Sequence, residues 1–339
     1  MSSNKRTLDE MPEQKSVVVC KRKKLKLTLE DAPPVKSIGD LIELGKSLKF
    51  YKNIDVSMLW NITPFLEELN SMIGMESLKE TLFFQIIYYL QGMNVRNEEY
   101  LHTVIYGPPG CGKTTVAEII AKIYKGMNIL SEDSSFKKAS RDDFIAGYLG
   151  QTAIKTKKLL NSCIGNVLFI DEVYSFGQKE NDRDSYAKEV ADILTGFLSE
   201  HKNDFCCIIA GYEEEVKSCF FGLNQGLERR FPWTHKITTY SNTDLTRIFF
   251  LIIEKQHWSV AFDEKFIVET IGENKRQFSN AGGDIETFIT KCKMMHSKRV
   301  FGLENKHKYI LTKEDVNEAI KFMNKNKPTD EDKYPSIYV

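Results

Sequence analysis

No apolar run in the 339-residue sequence approaches the ~20 residues that a membrane-spanning helix requires; the nearest, Leu82 to Leu90, is far too short. Neither sign of charge is in excess. Lys+Arg and Asp+Glu both number 47, for a formal net charge of zero. That balance argues against a diffuse polycation coating nucleic acid, though a local basic site remains open. The seven cysteines are odd in number and include no C-x-x-C pair, so neither a disulfide framework nor a zinc module is expected. The N-terminus is polar and charged, unlike a secretory signal. These absences lead to the expectation of a soluble, intracellular chain in a reducing compartment, with no membrane partner. The 42% of hydrophobic residues can fill a sizeable core, in one large domain or two ordinary ones.

Residues 1–50 are rich in Lys, Ser, Glu and Pro and poor in aromatics, a composition that predicts a mobile N-terminal extension. Within it, Lys21-Arg22-Lys23-Lys24-Leu25-Lys26 reads as a nuclear-import signal, an anionic-surface patch or a solvated tail, so the location is cytoplasmic or nuclear. From Trp60 the composition is globular. His102–Tyr106, Val167–Ile170 and Phe205–Ala210 read as buried strands; Ala153–Cys163 and Ala187–Leu198 read as amphipathic helices. Apolar strands alternating with helices predict an α/β fold with a parallel sheet covered on both faces, assigned to residues 51–240. Helices expected near 243–256, 263–272, 284–298 and 313–323 form a small helical lid over 241–327, with helix starts at Asp263 and Thr312. Residues 328–339 read as a loose tail.

Gly107-Pro108-Pro109-Gly110-Cys111-Gly112-Lys113-Thr114 matches G-x-x-x-x-G-K-[ST] in full and lies between a predicted strand and a predicted helix, the context the motif requires. Glycines let successive N–H groups converge on phosphate oxygens, and the helix N-terminus adds positive potential. Lys113 is placed to reach the β- and γ-phosphates of ATP, Thr114 to complete a Mg²⁺ site, and Thr115 follows at the same helix start. Cys111 reads as a small side chain tolerated beside the nucleotide. Asp171-Glu172 closes the strand Val167–Ile170, which suits Asp171 to the Mg²⁺ shell and Glu172 to polarising the attacking water. ATP hydrolysis is the expected reaction.

With Arg141–Ala153, including Tyr148-Leu149-Gly150-Gln151-Thr152-Ala153, and Ile209-Ala210-Gly211-Tyr212, these motifs resemble the AAA+ ATPases of the CbbX/CfxQ/SpoVK type. The resemblance runs from about Leu66 to Phe301. It implies a P-loop NTPase domain with a helical lid, hexameric rings of the chain with itself, and ATP at subunit interfaces. Ile73 and Gly74 resemble the adenine-packing segment. Arg230 stands where the family's arginine finger stands, with Arg229 beside it, and either could be a surface salt-bridge partner instead. Tyr148 and Leu149 occupy the central-pore loop that grips a peptide, although Tyr148 could simply pack on its own domain. Tyr212 ends its strand where a γ-phosphate sensor is expected. The lid segment Asn280–Glu286 has no arginine where relatives place one. The family occurs in giant DNA viruses, where the host cytoplasm is the implied location. The resemblance thus implies a ring-forming remodeller of an unidentified protein client, and nothing in the residues points to Rubisco as that client. A nucleic-acid loader or junction motor built on the same core is the alternative, supported by Lys21–Lys26 and opposed by a pore loop without Lys or Arg.

Overall fold

The computed structural model describes residues 30–325 except 48, 53, 95–97, 149, 178–184, 203, 305 and 306. Leu149, Lys21–Lys26 and the tail at 328–339 lie outside the described residues. Five strands, β1 (Thr103–Tyr106), β2 (Phe136–Ala139), β3 (Val167–Ile170), β4 (Cys206–Gly211) and β5 (Trp233–Lys236), form one parallel sheet in the order β2-β3-β4-β1-β5. Every residue of β1, β3 and β4 is buried, which is why these three stand out in the sequence as continuous apolar runs. The edge strands escaped the sequence reading for the converse reason. Only Ala139 of β2 and His235 of β5 are fully buried, so Phe-Lys-Lys-Ala and Trp-Thr-His-Lys carry no apolar run.

Helices α1 (Ile38–Lys46), α2 (Val56–Ser71), α3 (Glu76–Leu90) and α4 (Lys113–Gly126) share one apolar cluster with the inward side chains of the sheet. The stripe Val116, Ile119, Ile120 and Ile123 seats α4 there, each at most 1% exposed. The other face carries α5 (Arg141–Phe144), α6 (Thr152–Asn161) and α7 (Ser185–Glu200), followed by a short turn α8 (Glu213–Glu215) that runs on as a π-helix.

The extension assigned to residues 1–50 is too long at its C-terminal end, because α1 lies inside it. Ser37 Oγ accepts from Asp40 N at 3.3 Å, and Asp40 accepts from Ser37 N at 3.0 Å, a reciprocal capping box. Ile38, Leu41, Ile42 and Leu44 are buried, and α1 packs on α2. Gly45 permits the close approach, since a methyl there would collide with Thr63. Averaging composition over fifty residues concealed this nine-residue amphipathic segment.

A third apolar cluster holds α9 (Asn242–Lys255), α10 (Glu264–Glu273), α11 (Ala281–Arg299) and α12 (Lys313–Lys325), with a two-residue parallel pair β6 (Ser259–Val260) and β7 (Ile310–Leu311) that the sequence did not announce. Asp263 caps α10 as expected, accepting from Phe266 N at 3.3 Å. Buried Asp315 joins α12 to α11, accepting from Arg299 Nε at 2.7 Å, from Thr312 N at 2.8 Å and from His296 Nδ1 at 3.0 Å. Burial alone would raise its pKa, but these donors outweigh it and hold the carboxyl at about 2. Among the described residues no helix is long and apolar enough to cross a membrane.

Candidate active site

The site lies at the C-terminal ends of β1, β3 and β4, where loops of a parallel sheet converge. Backbone bonds from Gly107 N to Gly211 O (3.1 Å) and from Ile237 N to Tyr106 O (2.8 Å) fix the point where the glycine loop leaves the sheet. Gly110 and Gly112 are left-handed, with φ of +68° and +89°, and Gly112 delivers the chain into α4. Lys113 Nζ donates to Gly107 O at 3.1 Å and Pro108 O at 2.9 Å, and stands 5.9 Å from the centre of the Tyr212 ring. Thr114 Oγ1 approaches Asp171 Oδ2 at 3.5 Å, bringing a hydroxyl and a carboxylate from two elements together. Thr115 is exposed one residue further on. Cys111 is 1% exposed, and burial raises its thiol pKa against the opposing charge of Lys113. It is a packed, protonated side chain.

Glu172 is exposed and its backbone is left-handed, at φ +49° and ψ +44°. A non-glycine residue there costs on the order of 1 kcal/mol, and such strain gathers at functional sites. Its N–H donates to Asp171 Oδ1 at 2.9 Å, and the following 3₁₀ turn buries Val173 at once. The turn therefore separates Asp171, facing α4, from the exposed Glu172 carboxylate. Beside it, burial and then the Glu172 charge push the Tyr174 hydroxyl up to about 12, and the Tyr174 ring lies 5.6 Å from that of Tyr212.

Ile73 and Gly74 lie on a turn that closes on the loop from the side of α3. Gly74 and Met75 are both left-handed, and Lys79 Nζ donates to Met72 O at 2.7 Å to hold the turn. A methyl on Gly112 would stand 3.3 Å from Met75 Cε and 3.6 Å from Met72 Cε, so these thioethers flank the loop. Tyr240 completes this side, its hydroxyl donating to Cys111 O at 3.1 Å. Sequence reasoning missed Tyr240 and Lys79, and it quoted Met72 and Met75 within the segment of Ile73 and Gly74 without giving them a role. Tyr240 stands in the polar break between sheet and lid, where no periodicity marks it.

Arg230 and Tyr148 are held apart from this cluster. Arg230 Nε donates to Ser199 Oγ at 3.0 Å and Nη1 to Gly226 O at 2.6 Å, whereas Arg229 is exposed. Tyr148 is 74% exposed on a loop pinned at both ends. Ala146 N donates to Thr152 Oγ1 at 3.2 Å, and Lys155 Nζ donates to Ile145 O at 2.9 Å. The packing alternative for Tyr148 therefore has no support here.

Residues 103–224 match the sequence profile of the ATPase family associated with various cellular activities (AAA). The chain is 36% identical over 311 residues to the putative cfxQ-like protein R730 of Acanthamoeba polyphaga mimivirus, covering 89% of this chain and 76% of that protein. It is 34% identical over 202 residues to stage V sporulation protein K of Bacillus subtilis, covering 58% of this chain and 61% of that protein. Among solved structures, the FIGL-1 AAA domain in complex with ADP aligns with a TM-score of 0.55 at 19% identity, covering 78% of this chain and 85% of that one. The Thermotoga maritima RuvB Holliday junction branch migration motor aligns at 0.54 and 18%, covering 79% and 74%. At those identities both show the fold alone. The chain is thus an ATP-hydrolysing enzyme and belongs to the CbbX/CfxQ/SpoVK family of AAA+ ATPases.

Proposed function

We propose that the chain works as a ring, hexameric as is usual for the family, in which ATP hydrolysis drives the pulling of a protein client past Tyr148. ATP is held by the N–H groups of the loop 107–114 and by Lys113. The hydroxyl of Thr114 and the carboxylate of Asp171 are hard oxygen donors 3.5 Å apart, which suits a Mg²⁺ that takes its remaining ligands from phosphate and water. Held there, such an ion would supply positive charge to offset that of the phosphates. Glu172 accepts the proton of the attacking water, and Arg230 of a neighbouring copy offsets charge on the transferring phosphoryl group.

The observation that carries the client reading is the exposure of Tyr148 on a loop whose base is pinned. A large aromatic ring kept 74% exposed by fixed flanks offers sequence-tolerant apolar contact to an extended peptide. The test is stimulation of ATPase by an unfolded polypeptide and by single- and double-stranded DNA, for the parent, Tyr148→Ala and a form lacking residues 1–29. Tyr148→Ala should keep basal hydrolysis and lose polypeptide stimulation. Stimulation by DNA that ignores Tyr148 and vanishes with the N-terminal residues would instead establish a nucleic-acid motor, with steep salt dependence.

A further inference from the structure

We propose that the lid is coupled to the nucleotide through main-chain contacts with the phosphate loop, set by Tyr240 and Gly282, and not through a charged lid side chain. The inference rests on the loop 107–114 being the phosphate site. The junction that leads into the lid and the lid itself converge on two consecutive residues of that loop. At its entrance, the Tyr240 hydroxyl donates to Cys111 O at 3.1 Å. Its ring fills the space over Gly74, where a methyl would stand 3.1 Å from Tyr240 Cε1. Burial pushes this phenol up to about 12, so it remains a donor through the neutral range.

At the far end of the lid, the first turn of α11 rests on Gly110. A methyl on Gly110 would lie 2.5 Å from Asn280 O, and a methyl on Gly282 would lie 3.0 Å from Gly110 O. Glycine on both sides lets the two backbones approach this closely, and at Gly110 a side chain would force them apart. Asn280 N donates to Asp284 Oδ2 at 2.6 Å, so the start of α11 is a fixed end. The stretch Asn280–Glu286 contains no Lys or Arg that could reach a phosphate from this position.

The consequence is mechanical. Gly110 and Cys111 belong to the loop whose N–H groups face phosphate, and each carries one lid contact through its carbonyl or Cα. A loop that tightens on a polyphosphate or relaxes after its departure shifts both seats of the lid together. Lid opening and nucleotide release then become one event.

Neighbouring glycines supply a matched pair of variants. Ala replaces Gly favourably within a helix, so Gly282→Ala and Gly283→Ala should both keep or raise the melting temperature. Only the first adds a methyl crowded against Gly110; that of Gly283→Ala would stand 3.9 Å from Gly110 Cα, an ordinary contact. Release of a fluorescent ADP analogue, measured by chase in the full-length protein, is the readout. Tyr240→Phe should release it about 3- to 10-fold faster than the parent, the range one neutral hydrogen bond spans, and Gly282→Ala, which crowds the second seat, should also release it faster. Gly283→Ala should release it at the parent rate. Parent-like release from Gly282→Ala, or equal acceleration in both alanine variants, overturns the coupling. A parent that fails to bind the analogue refutes the phosphate site itself, which is a distinguishable result.

Discussion

The Lys113 ammonium satisfies itself on two carbonyls of its own loop, at 3.1 and 2.9 Å, and stands at the N-terminus of α4. Exchanging those neutral acceptors for phosphate oxygens gains charge-assisted bonds. Lys113→Ala should weaken ATP binding about a hundredfold or more by titration calorimetry, while parent-like affinity would move the site elsewhere. Glu172 has a different character. It is exposed, touches the Thr114–Asp171 pair only through its backbone, and sits in a strained turn. Glu172→Gln should therefore keep ATP affinity and lose about a hundredfold or more in turnover. Equal loss of both would make Glu172 a structural residue. These side chains were legible in the sequence because their chemistry demands a fixed spacing after an apolar strand. Tyr240 was not, because its role depends on a junction that brings residues 74, 111 and 240 together across the chain.

At the scale of elements, burial explains both what was readable and what was not. Central strands and the lid helices announced themselves through apolar periodicity. The edges β2 and β5 are half exposed, and α11 begins at Ala281, three residues before its expected start, since Gly282-Gly283 reads as a break. The same burial fixes a pH dependence. His102 ties β1 to β4 and to the end of α7: Cys207 N donates to its Nδ1 at 3.2 Å, so Nε2 carries the proton and donates to Leu198 O at 3.3 Å. His235 on β5 similarly bridges Gln85 Oε1 at 3.1 Å and Thr81 Oγ1 at 2.9 Å. Burial lowers His102 to about 4 and His235 to about 3, from an ordinary 6.5. The folded state thus favours neutral rings. This contribution is complete above pH 6.5 and is lost as pH falls toward 4 and then 3, at about 1.4 kcal/mol per pH unit for each histidine. Urea midpoints should fall between about pH 6.5 and 4.5, and His102→Asn should show a shallower slope; an unchanged slope would contradict the assignment.

For the whole molecule, the decisive feature is a separation. Lys113, Thr114, Asp171 and Glu172 gather at one sheet edge, whereas Arg230 bonds to Ser199 and Gly226 on its own domain and to none of them. Among the described residues of one subunit, Arg230 is thus not aimed at that cluster; in the proposed ring, a neighbour's Arg230 would be. Arg230→Ala and Glu172→Gln should each bind ATP and hydrolyse it poorly. The direct measurement is the ATPase rate of the two inactive variants mixed in equal amounts after dissociation and reassembly. Where an Arg230→Ala subunit, with its intact Glu172, meets a Glu172→Gln neighbour, with its intact Arg230, a complete site forms. Random mixing in a ring should restore about one site in four. A rate recovering to that fraction is the predicted result; no recovery despite demonstrated co-assembly would contradict a site shared between subunits.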